Sequence, residues 1–179
     1  MAVSDLLSDP GQIPREPGLY GWFFAPTALA LDAAGCFCQD GWPLLYLGLA
    51  QGRAESLGHL RGRIVSQHLR GNAGSSTLRR SVGSILRDAL GLRLQLGTSR
   101  GSDNWGAGEA VLTGWLASHA RVIWCEGASP WVSERQILAG GALRLPLNIQ
   151  HNAAERVRPL LQDLRRQAVV EGVPKARRS

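Results

Sequence analysis

Lysine is nearly missing from this chain: Lys175 is the only one, and arginine supplies the rest of the 20 basic residues. A phosphate loop ending in Gly-Lys-Ser/Thr is therefore excluded, and the glycine-rich stretch at 97–108 reads as a connection. Cysteine is scarce as well. Three cannot all pair internally, and Cys36 and Cys38 stand too close to bridge within an extended segment, which fits a reducing compartment. No second Cys or His pair accompanies Cys36-Phe37-Cys38 at a suitable spacing, so no zinc site is expected. No apolar stretch reaches about 18 residues, so no membrane-spanning helix is expected. The opening MAVSDLLSDPGQIP is acidic and lacks the apolar run of a secretory leader, and a cytoplasmic protein is expected.

What the chain does have is a core and a positive charge. Its 179 residues are 44% apolar, enough to bury a core without staples, and carry a formal net charge of +6 with a pI near 10.2. Arginine pairs bidentately with phosphate, so the bias favours nucleic acid or another phosphate-rich partner. Arginine in place of lysine also follows from base composition in a source genome, so charge alone selects no partner. A lightly ordered lead-in is expected over 1–15, one domain over 16–171 and a basic tail over 172–179.

Two aromatic-rich runs, GLYGWFF from Gly18 and PLLYLGL from Pro43, each follow turn-prone residues and read as strands. They hold the only tyrosines, Tyr20 and Tyr46, each hemmed in by glycine. A helix is expected over 57–69, with Leu57, Leu60 and Ile64 as its stripe, and NAGSS caps a second one that turns Leu78, Val82, Ile85 and Leu86 inward. Arg79, Arg80 and Arg87 then fall on that helix's other face, a solvated face or a track for a phosphate backbone. A short strand (RLQL), a helix over 109–120, a third sheet strand over 121–126 and a helix over 130–138 follow, the last stopped by Gly140-Gly141. The final helix, 159–170, turns Leu160, Leu161, Leu164 and Ala168 inward. Trp131, Glu134 and Leu138 stand at i, i+3 and i+7, which puts the Glu134 carboxylate on an apolar face, where a charge is costly unless paired or metal-bound.

Gly18-Leu19-Tyr20 and Tyr46-Leu47-Gly48, then an Arg/His helix in LRGRIVSQHL, a glutamate in WVSERQIL and Pro146-Leu147-Asn148, follow one another in an order that resembles the GIY-YIG nuclease family, over about residues 18–150. The resemblance implies an α/β fold, a small, mainly antiparallel three-stranded sheet flanked by helices. The 25–42 connection between the signature strands is longer than the family's usual one, an insertion that costs little closure entropy. The resemblance further implies a metal-dependent endonuclease that hydrolyses DNA phosphodiester bonds by in-line attack of water, with Mg2+ (or Mn2+) as cofactor. Tyr20 would be the base, Tyr46 would position it or the phosphate, Arg63 would bind the scissile phosphate, His68 would complete the helix pair, Glu134 would hold the metal, and Asn148 would hold the glutamate or the loop geometry by amide hydrogen bonds.

One register question stays open. On an ideal helix Arg61 and His68, seven apart, share a side, whereas Arg63 and His68, five apart, do not; many family members carry their second helix residue four after the arginine, where this chain has Gln67. A one-residue π-bulge would bring Arg63 and His68 together. The alternatives to a nuclease are a binding module that has kept the fold and lost cleavage, and a structural or partner-binding protein.

Overall fold

The computed structural model describes residues 1–51, 57–99, 101–139, 143–148 and 158–174. The helix stop expected at Gly140-Gly141 lies outside them, as does the end of the basic tail.

The sheet is built on β1 (Gly18–Phe24). It runs antiparallel to β3 (Trp42–Ala50) on one side and to β5 (Ala120–Glu126) on the other, and the two-residue β2 (Cys38–Gln39) extends β3 at the edge. The sheet therefore has the three expected antiparallel strands plus a short fourth, in the order β2-β3-β1-β5. Both faces of β1 are covered. Tyr20, Trp22 and Phe24 alternate into the larger core with Leu60, Ile64, Leu78 and Leu112. Phe23 joins Leu44, Leu47, Leu138 and Leu145 in a smaller one on the other side. Pairing slips between Trp22 and Phe23, and this irregularity lets both Leu45 and Tyr46 join the larger core.

The helices are α1 (Val3–Ser8), α2 (Thr77–Leu86), α3 (Gly108–His119), α4 (Pro130–Ala139) and α5 (Arg158–Val170). Between β3 and α2 lies a π-helix, Gly62–Leu69. A second, parallel two-residue pairing joins β4 (Gln95–Leu96) to β6 (Val173–Pro174), so the start of the expected basic tail is a strand.

Several expectations are corrected. The lead-in is folded: Val3, Leu6 and Ile13 are fully buried, and Met1 exchanges hydrogen bonds with Val122 at about 3 Å through its ammonium and its carbonyl. Leu57 is 96% exposed and precedes the helix it was expected to anchor. Leu160 faces out while Leu161 and Ala168 pack inward, since a 3.6-residue turn puts neighbours 160 and 161 on different sides. The largest correction is Arg79. It is fully buried, not part of an outward arginine face.

Candidate active site

The two signature glycines make room for neighbours. Tyr20 lies opposite Gly48 in the β1–β3 ladder, and a Cβ at Gly48 would come within 2.5 Å of the Tyr20 hydroxyl. A Cβ at Gly18 would meet the Cys125 carbonyl oxygen at 2.2 Å, so glycine there lets β5 close on β1. The Tyr20 ring thus lies across β3, with the Tyr46 ring centroid 6.4 Å away.

His68 arrives from the π-helix. Its Nε2 lies 2.7 Å from the Tyr20 hydroxyl, and its ring is ringed by Tyr20, Trp22 and Tyr46 at centroid distances of 5.3, 5.8 and 6.0 Å. The wider winding is what brings Arg63 to the same place: i→i+5 bonding, seen in Arg70 N–H to the Val65 carbonyl at 2.9 Å, aligns residues five apart. Arg63 also donates to Gln67 Oε1, and its charge acts on the Tyr20 phenol. Its Nε is buried and meets no acceptor among the described residues. Arg61, by contrast, turns away to the N-terminal segment, donating through Nε to the Ile13 carbonyl at 2.6 Å and through Nη2 to the Gly11 carbonyl at 2.9 Å.

Burial dominates the electrostatics. It drives the Tyr20 phenol well above its ordinary value, helped by Tyr46 and Glu134 and opposed by Arg63. Tyr46 is pushed up by burial too, against its bond to Thr77, where the hydroxyls are 3.2 Å apart. His68 is held well below its ordinary value by burial, then by Arg63 and Arg79, so the imidazole is neutral. Glu134 lies partly buried on α4, with Leu138 inward on the same face, and its charge reaches both phenols.

Asn148 sits apart from this cluster. It clamps β3, its Oδ1 accepting from Leu47 N–H at 2.8 Å and its Nδ2 donating to the Leu47 carbonyl at 2.7 Å, one residue from Tyr46. Three neighbours carried no warning as site residues. Ser76 lies 2.7 Å from His68 Nδ1, and Thr77 holds Tyr46; Ser76 was read only as part of a cap, and Thr77 was not singled out. Arg165 on α5 is half-buried beside Arg80 and Tyr46; burial and then Arg80 pull its guanidinium pKa down.

Among the described residues no three His, Cys, Asp or Glu side chains gather as a metal cage. Magnesium does not need one, since it is held by one or two carboxylates, retained waters and substrate phosphate. A single carboxylate near a guanidinium with a free N–H fits that pattern and not a resident zinc site.

A curled antiparallel sheet with helices on its faces, carrying two buried tyrosines on adjacent strands, defines an α/β protein of the GIY-YIG fold class. A family model described as GIY-YIG catalytic domain matches residues 18–167, most of the chain, and the chain belongs to that family. The family is one of nucleases that act on nucleic acid and generally use divalent metal ions. No curated protein and no solved structure matches the chain. Among the described residues no helix is long and apolar enough to cross a membrane.

Proposed function

We propose that this protein is a metal-dependent endonuclease that hydrolyses DNA phosphodiester bonds by in-line attack of water. The observation that carries the reading is Arg63, a cation with an unmatched buried N–H at the point where two phenols, an imidazole and a carboxylate's charge converge. A buried guanidinium donor without an acceptor is costly, and a phosphate oxygen satisfies it with charge as well as geometry.

In the reaction, the water oxygen bonds to phosphorus as the bond from phosphorus to the leaving sugar oxygen breaks, and the water proton ends on Tyr20. Tyr20 can accept it only as a phenolate, a form that the charge of Arg63 favours. Arg63 would also offset charge on the phosphoryl oxygens. Tyr46 and His68 hold Tyr20 in place, and Asn148 fixes the β3 backbone that presents Tyr46. Glu134 would hold the magnesium (or manganese) ion, which supplies Lewis-acid charge to the phosphoryl and leaving oxygens.

The test is to incubate purified protein with supercoiled, single-stranded and branched DNA, with magnesium and with a chelator, beside Tyr20→Phe. Cleavage that needs magnesium and disappears in Tyr20→Phe, with folding retained, is the expected result. Salt-sensitive DNA binding without cleavage in any arm would instead identify a binding module that has kept the fold. No salt-sensitive binding at all would leave the charge without a nucleic-acid role.

A further inference from the structure

Arg165 is a cation that the fold does not use. It stands on α5 four residues after Leu161 and three before Ala168, both buried, so it shares the inward face of that helix and is itself half-buried. α5 packs against α2. Arg87 fixes the alignment at one end, its Nη2 lying 3.2 Å from Glu171 Oε1 and 3.3 Å from Gln167 Oε1. Arg165 comes six residues before Glu171 and Arg80 seven before Arg87, about 9 and about 10.5 Å back along the two helices. The charges of Arg165 and Arg80 oppose each other, so the helices run side by side in one direction. Arg165 therefore lies toward the end of α2 that carries the site. There Thr77, three residues before Arg80 and exposed, bonds the Tyr46 hydroxyl at 3.2 Å.

The neighbouring arginines are matched. Arg80 donates to Asp103 Oδ2 at 2.8 Å, Arg87 is paired with Glu171, and Arg166, next in the chain, is paired with Asp163. Among the described residues Arg165 has no acceptor, and of the described arginines that are half-buried or deeper it alone has none. A guanidinium withdrawn from water beside a second cation, with no carboxylate or carbonyl to answer it, is unfavourable in the protein as it stands. An anion arriving at Arg165 relieves both the desolvation and the repulsion. A phosphodiester suits it, because the planar fork of the guanidinium matches two phosphate oxygens at once. Tyr46 lies within the charge of Arg165 and of Arg63 alike. One phenol of the site thus stands in the field of two cations that keep donors in reserve.

We propose that Arg165 is a second phosphate-binding residue, which from the inward face of α5 holds a phosphodiester of the bound nucleic acid next to the one that Arg63 takes. It serves binding of the strand and not cleavage of the bond. The phosphate contact itself does not require the protein to cleave; its place beside the scissile phosphate rests on the nuclease reading.

Fluorescence anisotropy of labelled duplex, single-stranded and branched DNA, measured in chelator over a series of salt concentrations, compares wild type with Arg165→Gln and Arg165→Lys. Losing one phosphate contact should lower the slope of log affinity against log salt by about 0.9 on duplex and about 0.7 on single strands in Arg165→Gln, and weaken binding at low salt about tenfold. Arg165→Lys keeps the charge and loses the fork, so it should keep the slope and recover part of the affinity. Arg165→Gln should melt at or above the wild-type temperature, since an unanswered cation beside Arg80 has gone. Where the wild type cleaves, the loss should fall on KM and not on kcat. Unchanged slope and affinity in Arg165→Gln overturn the proposal and leave the nuclease reading standing, whereas a wild type that binds none of the three DNAs overturns both. Binding without cleavage, with the slope reduced in Arg165→Gln, supports the phosphate contact and removes the nuclease reading alone. An Arg165→Gln protein that melts early or fails to fold would make Arg165 part of the fold and overturn the proposal. A fall in kcat with KM unchanged would overturn it as well, by placing Arg165 on the reacting phosphate.

Discussion

Arg63 and Arg79 both press on His68, and both lower its pKa, yet they are opposite kinds of arginine. Arg79 is saturated. Its Nε donates to Glu109 Oε2 at 2.8 Å, its Nη1 to the carbonyls of His68 and Leu69 and to Thr113 at 3.0 Å, and its Nη2 to the Glu109 carbonyl at 2.7 Å. It ties the end of the π-helix to α2 and α3 and has nothing left to give a ligand. Arg63 has a buried N–H to spare, and its charge reaches Tyr20, Tyr46 and His68. A cation whose donors are all consumed holds the protein together; a cation with a donor left over beside titratable groups is built for something that arrives later.

Two substitutions would break this comparison if it is wrong. Arg79→Ala should destabilise the fold by about 3–5 kcal/mol, because it removes the ion-pair partner of the largely buried Glu109 carboxylate together with the donors to the His68, Leu69 and Glu109 carbonyls; a denaturant titration showing less than about 1 kcal/mol would mean that the saturated network does not carry weight. Arg63→Ala should leave the melting temperature close to wild type while lowering cleavage by a factor of about 100 to 1,000, the range for removing one donor to a transition-state oxygen. Were Arg63→Ala to melt early and cleave normally, the two arginines would have exchanged roles.

The pair also marks where sequence reading stops. The strands, the tyrosines and their glycines follow from local pattern, because an alternating apolar run is a strand wherever it packs. The coming together of Arg63 and His68 was readable as a question: five residues do not make an α-turn, so both belong to one site only on a wider helix, which Gly62–Leu69 is. Arg79 was not readable, since what buries it is Glu109, thirty positions on, and a helical wheel shows a face without showing what covers it. The same holds for Val3–Ser8, a six-residue helix after an unpromising start, held down by Val3, Leu6 and a β-bridge between Ala2 and Arg121. Ser76 was legible as a cap from NAGSS; its second bond depends on where the π-helix delivers His68. Local chemistry is written locally, and the partners that reassign it are not.

Arg61 sharpens the comparison at smaller scale. Bonded through its side chain to the Ile13 and Gly11 carbonyls, it clamps the N-terminal segment to the site helix from a partly exposed position. Arg61→Ala should therefore cost about 1–2 kcal/mol of stability and leave cleavage at saturating DNA unchanged. A loss of cleavage larger than that of Arg63→Ala, measured on the same DNA, would restore Arg61 as the phosphate ligand.

The smallest expected effect is on pH dependence, and it tests whether the two arginines act on His68 together. The folded-state pKa of His68 lies well below the unfolded value, so from about pH 6.5 downward the unfolded chain binds a proton that the folded one refuses. The stability contribution is present above the unfolded pKa and is lost as pH falls toward the folded one, with a slope of at most about 1.4 kcal/mol per pH unit. Asp103 also has a lowered pKa, burial being outweighed by the Gly97 N–H and Arg80, but it titrates from the carboxylate range downward and leaves the window between pH 7 and 5 to the histidine. Thermal melts across that window should fall steadily in wild type and flatten in His68→Gln. Arg63→Ala should make the loss level off at a higher pH by removing one of the two charges that resist protonation, while burial and Arg79 maintain the rest. A loss that levels off at the same pH in Arg63→Ala and wild type, with both proteins folded and the melts carried down until both level off, would place Arg63 too far from the imidazole to share a site with it.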